Sequence, residues 1–295
     1  MLHRFAAGSD TDMSMRVALI DGTATILVLL LLGLPAAAGQ PQKNSNLKSI
    51  ELCNGAGVPP QARIAGCTAL ISSGEGNADA LAVAYNNRGN AYVVTAEYDR
   101  AIKDFDQAIE LASGYVKPVN NRGVAYLKKG AYDVAVKAFD EAIKLNPNYG
   151  GAFVNRAEAY LKMSEYERAA RDFDEAIRLD PNLNHAWHGR CWIRAVLGNL
   201  EAGLEDCNRA LQSGADNAAT YDSRALIHLK MGQLAAAIDD YNSALRVEPK
   251  LASALYGRGL AKLRQGDKAG GDSDISAARI IQAKIGDDFA RHGMQ

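Results

Sequence analysis

Small and apolar residues recur along most of this chain at helical spacing, in paired runs whose other faces are polar or charged. Between residues 116 and 149, Val119, Gly123 and Tyr126 mark one run, and Ala135, Phe139, Ala142 and Ile143 mark the next. Steps of three and four place each set on one face of an α-helix, so the segment predicts two amphipathic helices. Gly130 separates them and Pro147 ends the second.

The pattern returns every 34 residues, without insertion or deletion, over units 82–115, 116–149, 150–183, 184–217, 218–251 and 252–283. One small position runs through the first helices as Gly89, Gly123, Ala157, Cys191, Ala225 and Gly259. The second helices answer with Ala108, Ala142, Ala176, Ala210, Ala244 and Ala278, flanked by Phe105, Phe139, Phe173, Cys207, Tyr241 and Ile275. Small against large on facing helices is what filling an interior to native density requires. A period of this length and form predicts an all-α solenoid of antiparallel helix pairs, six repeats plus caps.

At these positions the chain resembles the tetratricopeptide repeat (TPR) family. The residues that carry the likeness are small-x-x-Tyr at Gly123 and Tyr126, then Ala135, Phe139, Ala142 and Pro147. The resemblance covers about residues 82–283 and implies a right-handed superhelix. Its concave groove, lined by the first helix of each unit, is implied to bind peptides or partner proteins, generally without catalysis.

The flanks read differently. Residues 1–38 form a candidate signal peptide: residues 22–42 carry no charge, residues 24–34 are an apolar core after Arg16, and Ala36, Ala37 and Ala38 supply an A-x-A-like cleavage site. The alternative is an uncleaved inner-membrane anchor, since the uncharged run approaches a spanning length. Export to the periplasm or beyond is the expectation; a membrane contact is expected only if the segment stays. Residues 39–45 are expected to be a polar linker, and 46–81 a divergent capping helix pair with its turn at 55–60. At the other end, Gly270 and Gly271 predict a final helix that starts late or frays. Residues 273–291 then read as one lengthened helix over the open end, with 284–295 as its tail. The whole chain resembles exported TPR proteins of Gram-negative bacteria, particularly alphaproteobacterial ones with a cysteine-bearing first helix pair.

In the repeat alignment the four cysteines become two equivalent pairs. Cys191 and Cys207 hold the small and bulky inner positions of one unit, and Cys53 and Cys67 hold the corresponding places in the cap. With export to an oxidising compartment, disulfides Cys53–Cys67 and Cys191–Cys207 are expected. The alternative is two pairs of small buried hydrophobes that stay reduced.

Two charged ladders depart from the family pattern. Arg88, Arg122, Arg156, Arg190, Arg224 and Arg258 stand where the family more often has leucine. Asp104, Asp172, Asp206, Asp240 and Asp274 recur on the second helix, with Ala138 in the missing place. A guanidinium near a helix interface needs acceptors, so the ladders read as structural pairs; a basic rail for an acidic ligand is the alternative.

The groove positions carry the candidate chemistry. Asn86, Asn87, Asn90, Asn120, Asn121 and Asn155 populate the first three units and stop at Gly189, Ser223 and Gly257. Amides can bond the backbone of an extended peptide whatever its sequence, and the series resembles the asparagine ladder of the protein O-GlcNAc transferase superhelix. Bonding between the helices themselves is the other reading. Lys117, Lys128, Glu158 and Lys162 make the first half of the groove polar. His188, Trp192, Leu226, Leu229, Tyr256, Leu260 and Leu263 give the second half an apolar, aromatic stripe, a candidate docking site for a partner protein or peptide. The carboxylate clamp of chaperone-binding relatives is not assembled.

Neither composition nor motif argues for an enzyme, a cofactor or a metal. His185, His188 and Cys191 lie too far apart round a helix to converge on one ion, and no Gly-rich loop or nucleophile arrangement has positional support. A formal net charge of -1 over 295 residues gives no reason to expect nucleic acid as a partner.

Overall fold

The first and second helices of each repeat pack along their length, and each pair docks on the next, so the chain builds by addition. This is a computed structural model that describes residues 40–212, 217–291 and 293. The signal segment expected over 1–38 lies outside them. Among the described residues there are 15 helices and no strands. The cap is α1 (Gln40–Asn54) and α2 (Pro60–Ser73). The repeats are α3 (Ala78–Val94) with α4 (Tyr98–Leu111), α5 (Val116–Lys129) with α6 (Tyr132–Leu145), and α7 (Gly150–Lys162) with α8 (Tyr166–Leu179). They continue as α9 (Asn184–Leu197) with α10 (Leu200–Leu211), α11 (Ala218–Lys230) with α12 (Leu234–Val247), and α13 (Ala252–Gln265) with α14 (Lys268–Ile281), before a short α15 (Ile285–Arg291).

Every turn inside a repeat uses one left-handed residue at the same place. Gly130, Gly198, Gly232 and Gly266 fill it with φ of 83°, 87°, 74° and 97°, whereas Ala96 and Ser164 adopt φ of 60° and 61° without glycine's freedom. A Cβ makes that conformation costly. The second helices other than α10 end alike too: Asn146 leaves α6 at φ -142°, ψ 95° and Gln282 leaves α14 at φ -140°, ψ 97°.

That last exit corrects the expectation of one long terminal helix over 273–291. The sixth repeat ends in register at Ile281, and the chain turns to start α15, whose buried Ile285 and Phe289 sit at first-helix positions of a truncated seventh repeat. Phe289 packs on Tyr256 with ring centroids 4.8 Å apart. Nor does α14 start late. Asp267 caps it by accepting from Gly270 N–H at 2.9 Å, which offsets what the glycines lose. Of the polar linker expected over 39–45, residues 40–45 are likewise helical, since α1 begins at Gln40. Pro41 is tolerated in a first helical turn.

Two disulfides fasten helix pairs. Cys53–Cys67 joins α1 to α2 with Cα atoms 4.7 Å apart, and Cys191–Cys207 joins α9 to α10 at 5.3 Å. All four cysteines are fully buried.

Candidate binding groove

The first helices of successive repeats approach one another, α3 to α5, α5 to α7 and so on to α13, while among the described residues no second helix comes within 8 Å, Cα to Cα, of the next repeat's second helix. Stacking that is tight on one side and splayed on the other bends the array, with α3, α5, α7, α9, α11 and α13 on the inside. Arginines bridge the splayed side. All but Arg122 donate both Nε and one terminal nitrogen to the aspartate 16 residues ahead, as Arg190 does to Asp206 at 2.8 and 2.7 Å. Arg88–Asp104, Arg156–Asp172, Arg224–Asp240 and Arg258–Asp274 repeat the fork.

The remaining terminal nitrogen reaches back to the preceding second helix. Arg88 meets Thr68, Arg122 Asp106, Arg156 Asp140, Arg190 Asp174, Arg224 Asn208 and Arg258 Asn242. Each guanidinium therefore staples two second helices that do not touch. Arg122, opposite Ala138, takes Glu141 instead of the missing aspartate, at 2.6 Å. Burial alone would lower the pKa of Arg190, but its bonds to Asp206 and Asp174 hold it above the ordinary value.

The asparagines form one continuous chain of side-chain bonds. Asn155 donates to Asn120 at 2.9 Å, Asn120 to Asn121 at 3.3 Å, Asn121 to Asn86 at 3.0 Å, Asn86 to Asn87 at 3.3 Å, and Asn87 to Asn54 at 2.9 Å. Asn86 and Asn120 are buried, each 4% exposed. Each nitrogen from Asn155 to Asn87 gives one N–H to a neighbouring asparagine, so these residues bond successive first helices to one another. Asn90 stands outside the chain, half-buried on α3.

Why the chain stops follows from the rings of the second helices. Phe105 and Phe139 lean onto the glycine of their own repeat: a Cβ placed on Gly89 or Gly123 would stand 2.6 or 2.5 Å from the ring. In the third and fifth repeats that glycine is Ala157 or Ala225, and the ring leans the other way. Phe173 lies on Gly189 of the next repeat and Tyr241 on Gly257, where a Cβ would meet ring carbons at 2.2 Å. Position 121 or 155 can hold asparagine because no ring intrudes; positions 189 and 257 cannot hold any side chain. In the fourth repeat the disulfide replaces the ring, and Ser223 fits.

Beyond the asparagines the groove opens into two adjoining cavities. One, of about 500 Å³, lies among Lys128, Glu158, His185, His188, Trp192 and Asp222. The second, of about 600 Å³, shares Trp192 and Asp222 and extends over Leu226, Tyr241 and Ser253 to α15. Trp192 packs edge-on against Tyr166, centroids 5.7 Å apart. The apolar stripe expected here is shorter than its sequence: Leu229 is fully buried in the core, and Tyr256 is covered by Phe289. Leu260 and Leu263 are half-buried among neighbouring helices, while Leu226, 7% exposed, still edges the cavity.

Two groups on this floor, Asp222 and Ser253, were not foreseen from the sequence, and Tyr241 was expected only as a bulky packing residue. Asp222 accepts from Ser253 Oγ at 2.7 Å, and burial pushes its carboxyl up to about 7. Tyr241 Oη is buried with no hydrogen-bond partner among the described residues. Burial and the nearby Asp222 charge push that phenol well above its ordinary value. His188 Nε2 lies 3.4 Å from Ser223 Oγ, and burial lowers its pKa. One signal was available: Asp222 stands 34 residues after His188 in the series that begins with Asn86 and Asn120, yet is followed 35 residues on by glycine.

The family model of the tetratricopeptide repeat matches residues 82–115, 119–149 and 151–183, and a second model described as TPR repeat matches 225–266. The chain is a tetratricopeptide repeat protein. No curated protein matches it in sequence. Among solved structures, this TPR protein is similar to a tetratricopeptide repeat protein from Parabacteroides merdae, at 19% identity and a TM-score of 0.62, over 86% of this chain and 100% of that one. It is also similar to PilF of Pseudomonas aeruginosa, at 14% identity and a TM-score of 0.63, over 72% of this chain and 98% of that one. A third, YrrB, described as a TPR protein with an unusual peptide-binding site, matches at 18% identity and a TM-score of 0.50, over 64% of this chain and 95% of that one. At these identities the likeness is one of fold.

Proposed function

We propose that this TPR protein is a non-catalytic scaffold that binds a protein or peptide partner in the C-terminal half of its concave groove, between α7 and α15. The observation that carries the reading is a contrast along one face. The asparagines of the N-terminal half bond to one another, whereas the C-terminal half leaves Trp192, Leu226 and Asp222 around open cavities. An aromatic and an aliphatic anchor beside a few polar groups is the usual make-up of a binding hot spot. The peptide-binding site named for YrrB adds a precedent for the fold.

The place of action we infer is the periplasm, or outside the cell, after removal of residues 1–38. Two buried disulfides support an oxidising compartment. A photoreactive residue at position 192 tests the groove: it should capture a discrete partner from envelope extract that the same residue at Lys137, on the exposed face of α6, does not. Equal capture from both positions sinks the reading. The mature N-terminus, read by mass spectrometry, decides between export at Gly39 and a retained anchor.

A further inference from the structure

The floor beneath Trp192 repeats the asparagine bond with its donor removed. In the N-terminal repeats, Asn86 accepts from Asn121 and Asn120 from Asn155, each 35 residues on. The same offset links His188 to Ser223. Asp222 is the acceptor in the fifth repeat, and its partner place is Gly257, emptied to seat the Tyr241 ring. Only one bond to the Asp222 carboxylate is made within the described residues, from Ser253.

The neighbouring hydroxyls are committed in one direction. Ser223, which is buried, donates to Ala219 O at 2.8 Å and contacts His188 Nε2, and Ser253 donates to Asp222, so Ser253 presents a lone pair rather than a proton to the cavity. Tyr241 Oη lies buried below them without a partner, its phenol a donor as well as an acceptor. Unlike the ladder aspartates, each forked by an arginine, Asp222 pairs with no cation among the described residues. Of the two cations at the rim of the second cavity, Arg291 is held by Asp288 and Lys162 belongs to a helix two repeats upstream. The exposed part of the floor is thus the Asp222 carboxyl with the Ser253 hydroxyl, beneath an indole and Leu226.

We propose that this subsite, formed by Asp222 and Ser253 under Trp192, takes a basic side chain of the partner, arginine or lysine. A guanidinium or ammonium brings only donors, its carbon stem suits the Leu226 wall, and an aromatic face attracts the cation. The inference rests on the reading that the groove binds a protein, and it names the partner's anchor.

The test follows the Trp192 indole N–H by nuclear magnetic resonance, in the oxidised full chain, during titration with N-acetyl-arginine methylamide and with its neutral citrulline analogue. The arginine probe is expected to shift the signal saturably and to bind about tenfold more tightly than citrulline. D222N, which keeps an acceptor for Ser253, should abolish that preference; S253A, which keeps the charge, should retain it. Equal affinity for the two probes, or a preference that survives D222N, overturns the proposal. If position 192 captures a partner while the probes show no preference, the groove stands and the basic anchor falls; failure of both removes both.

Discussion

The opposite lean of two rings can be tested by moving the glycine that decides it. Gly189→Ala would place a Cβ 2.2 Å from Phe173 Cζ, a separation that cannot persist. Alanine for glycine in a helix interior would otherwise gain about 1 kcal/mol, but overpacking a full site costs roughly 1–3 kcal/mol. The single change should therefore destabilise the protein by about 1 kcal/mol. Ala157→Gly alone should also cost about 1 kcal/mol through lost helix propensity.

Together they should not add. Glycine at position 157 would recreate the pocket that Gly123 offers Phe139, so the Phe173 ring could lean onto its own repeat, and the new methyl at position 189 would sit in vacated space. The double variant should return close to the parent stability, a coupling of about 2 kcal/mol, or about 4–8 °C in melting temperature for a chain of this size. Urea denaturation of all four proteins, with disulfides oxidised and m-values compared, measures the cycle. If the two costs sum to within about 0.5 kcal/mol, the ring has no second seat and the explanation for the missing asparagine is wrong.

Four other outcomes are expected. Asp206→Ala should be the costliest ladder change, about 3 kcal/mol by denaturation, because a 1%-exposed carboxylate faces both Arg190 and Arg194. Ala96→Gly should raise stability by roughly 0.5–1 kcal/mol by relieving a positive φ, and a neutral or negative effect would refute that strain. Under denaturing, non-reducing conditions the chain should show no free thiol, and Cys53→Ser with Cys67→Ser should cost about 3 kcal/mol. The fourth concerns pH: Asp222 is held above its unfolded value, so its protonated form favours the folded state, and that contribution is lost as pH rises from about 4 to 7. Asp222→Asn should leave stability below about pH 4 unchanged and increase it at about pH 8 by roughly 1–3 kcal/mol. His188, lowered by burial, acts oppositely, its contribution fading as pH drops below the ordinary histidine value; His188→Gln separates the two in pH-dependent melting curves.

The repeat itself was legible because its packing is local. A 34-residue period fixes which residues share a helix face, and a small residue opposite a large one needs no knowledge of the rest of the chain. The cysteine pairs were legible for the same reason, each lying within one helix pair. The C-terminal end was not. Whether residues 282–291 continue a helix or begin a new one depends on Tyr256, a residue 33 positions before Phe289. Apolar spacing alone cannot distinguish the two.

The groove was legible only in part, because its chemistry depends on bonds between repeats. Asparagine at 87, 121 and 155 looks the same in sequence whether or not it bonds the next helix; the bonds of Asn155 to Asn120 and Asn121 to Asn86 appear only in the structure. Asp222 was unremarked because one aspartate among many carries no pattern, and its meaning comes from the empty place at Gly257. Ala157 and Ala225, each one methyl larger than the glycines of the first two repeats, turn the rings outward, clear the asparagines and leave a groove floor with acceptors to spare. The division of this array into a half whose asparagines bond to one another and an open half thus traces to the inner packing position, where a change of one carbon alters which face of the repeat is occupied. Binding surfaces on repeat arrays can be set from within the core as well as by substitution on the surface.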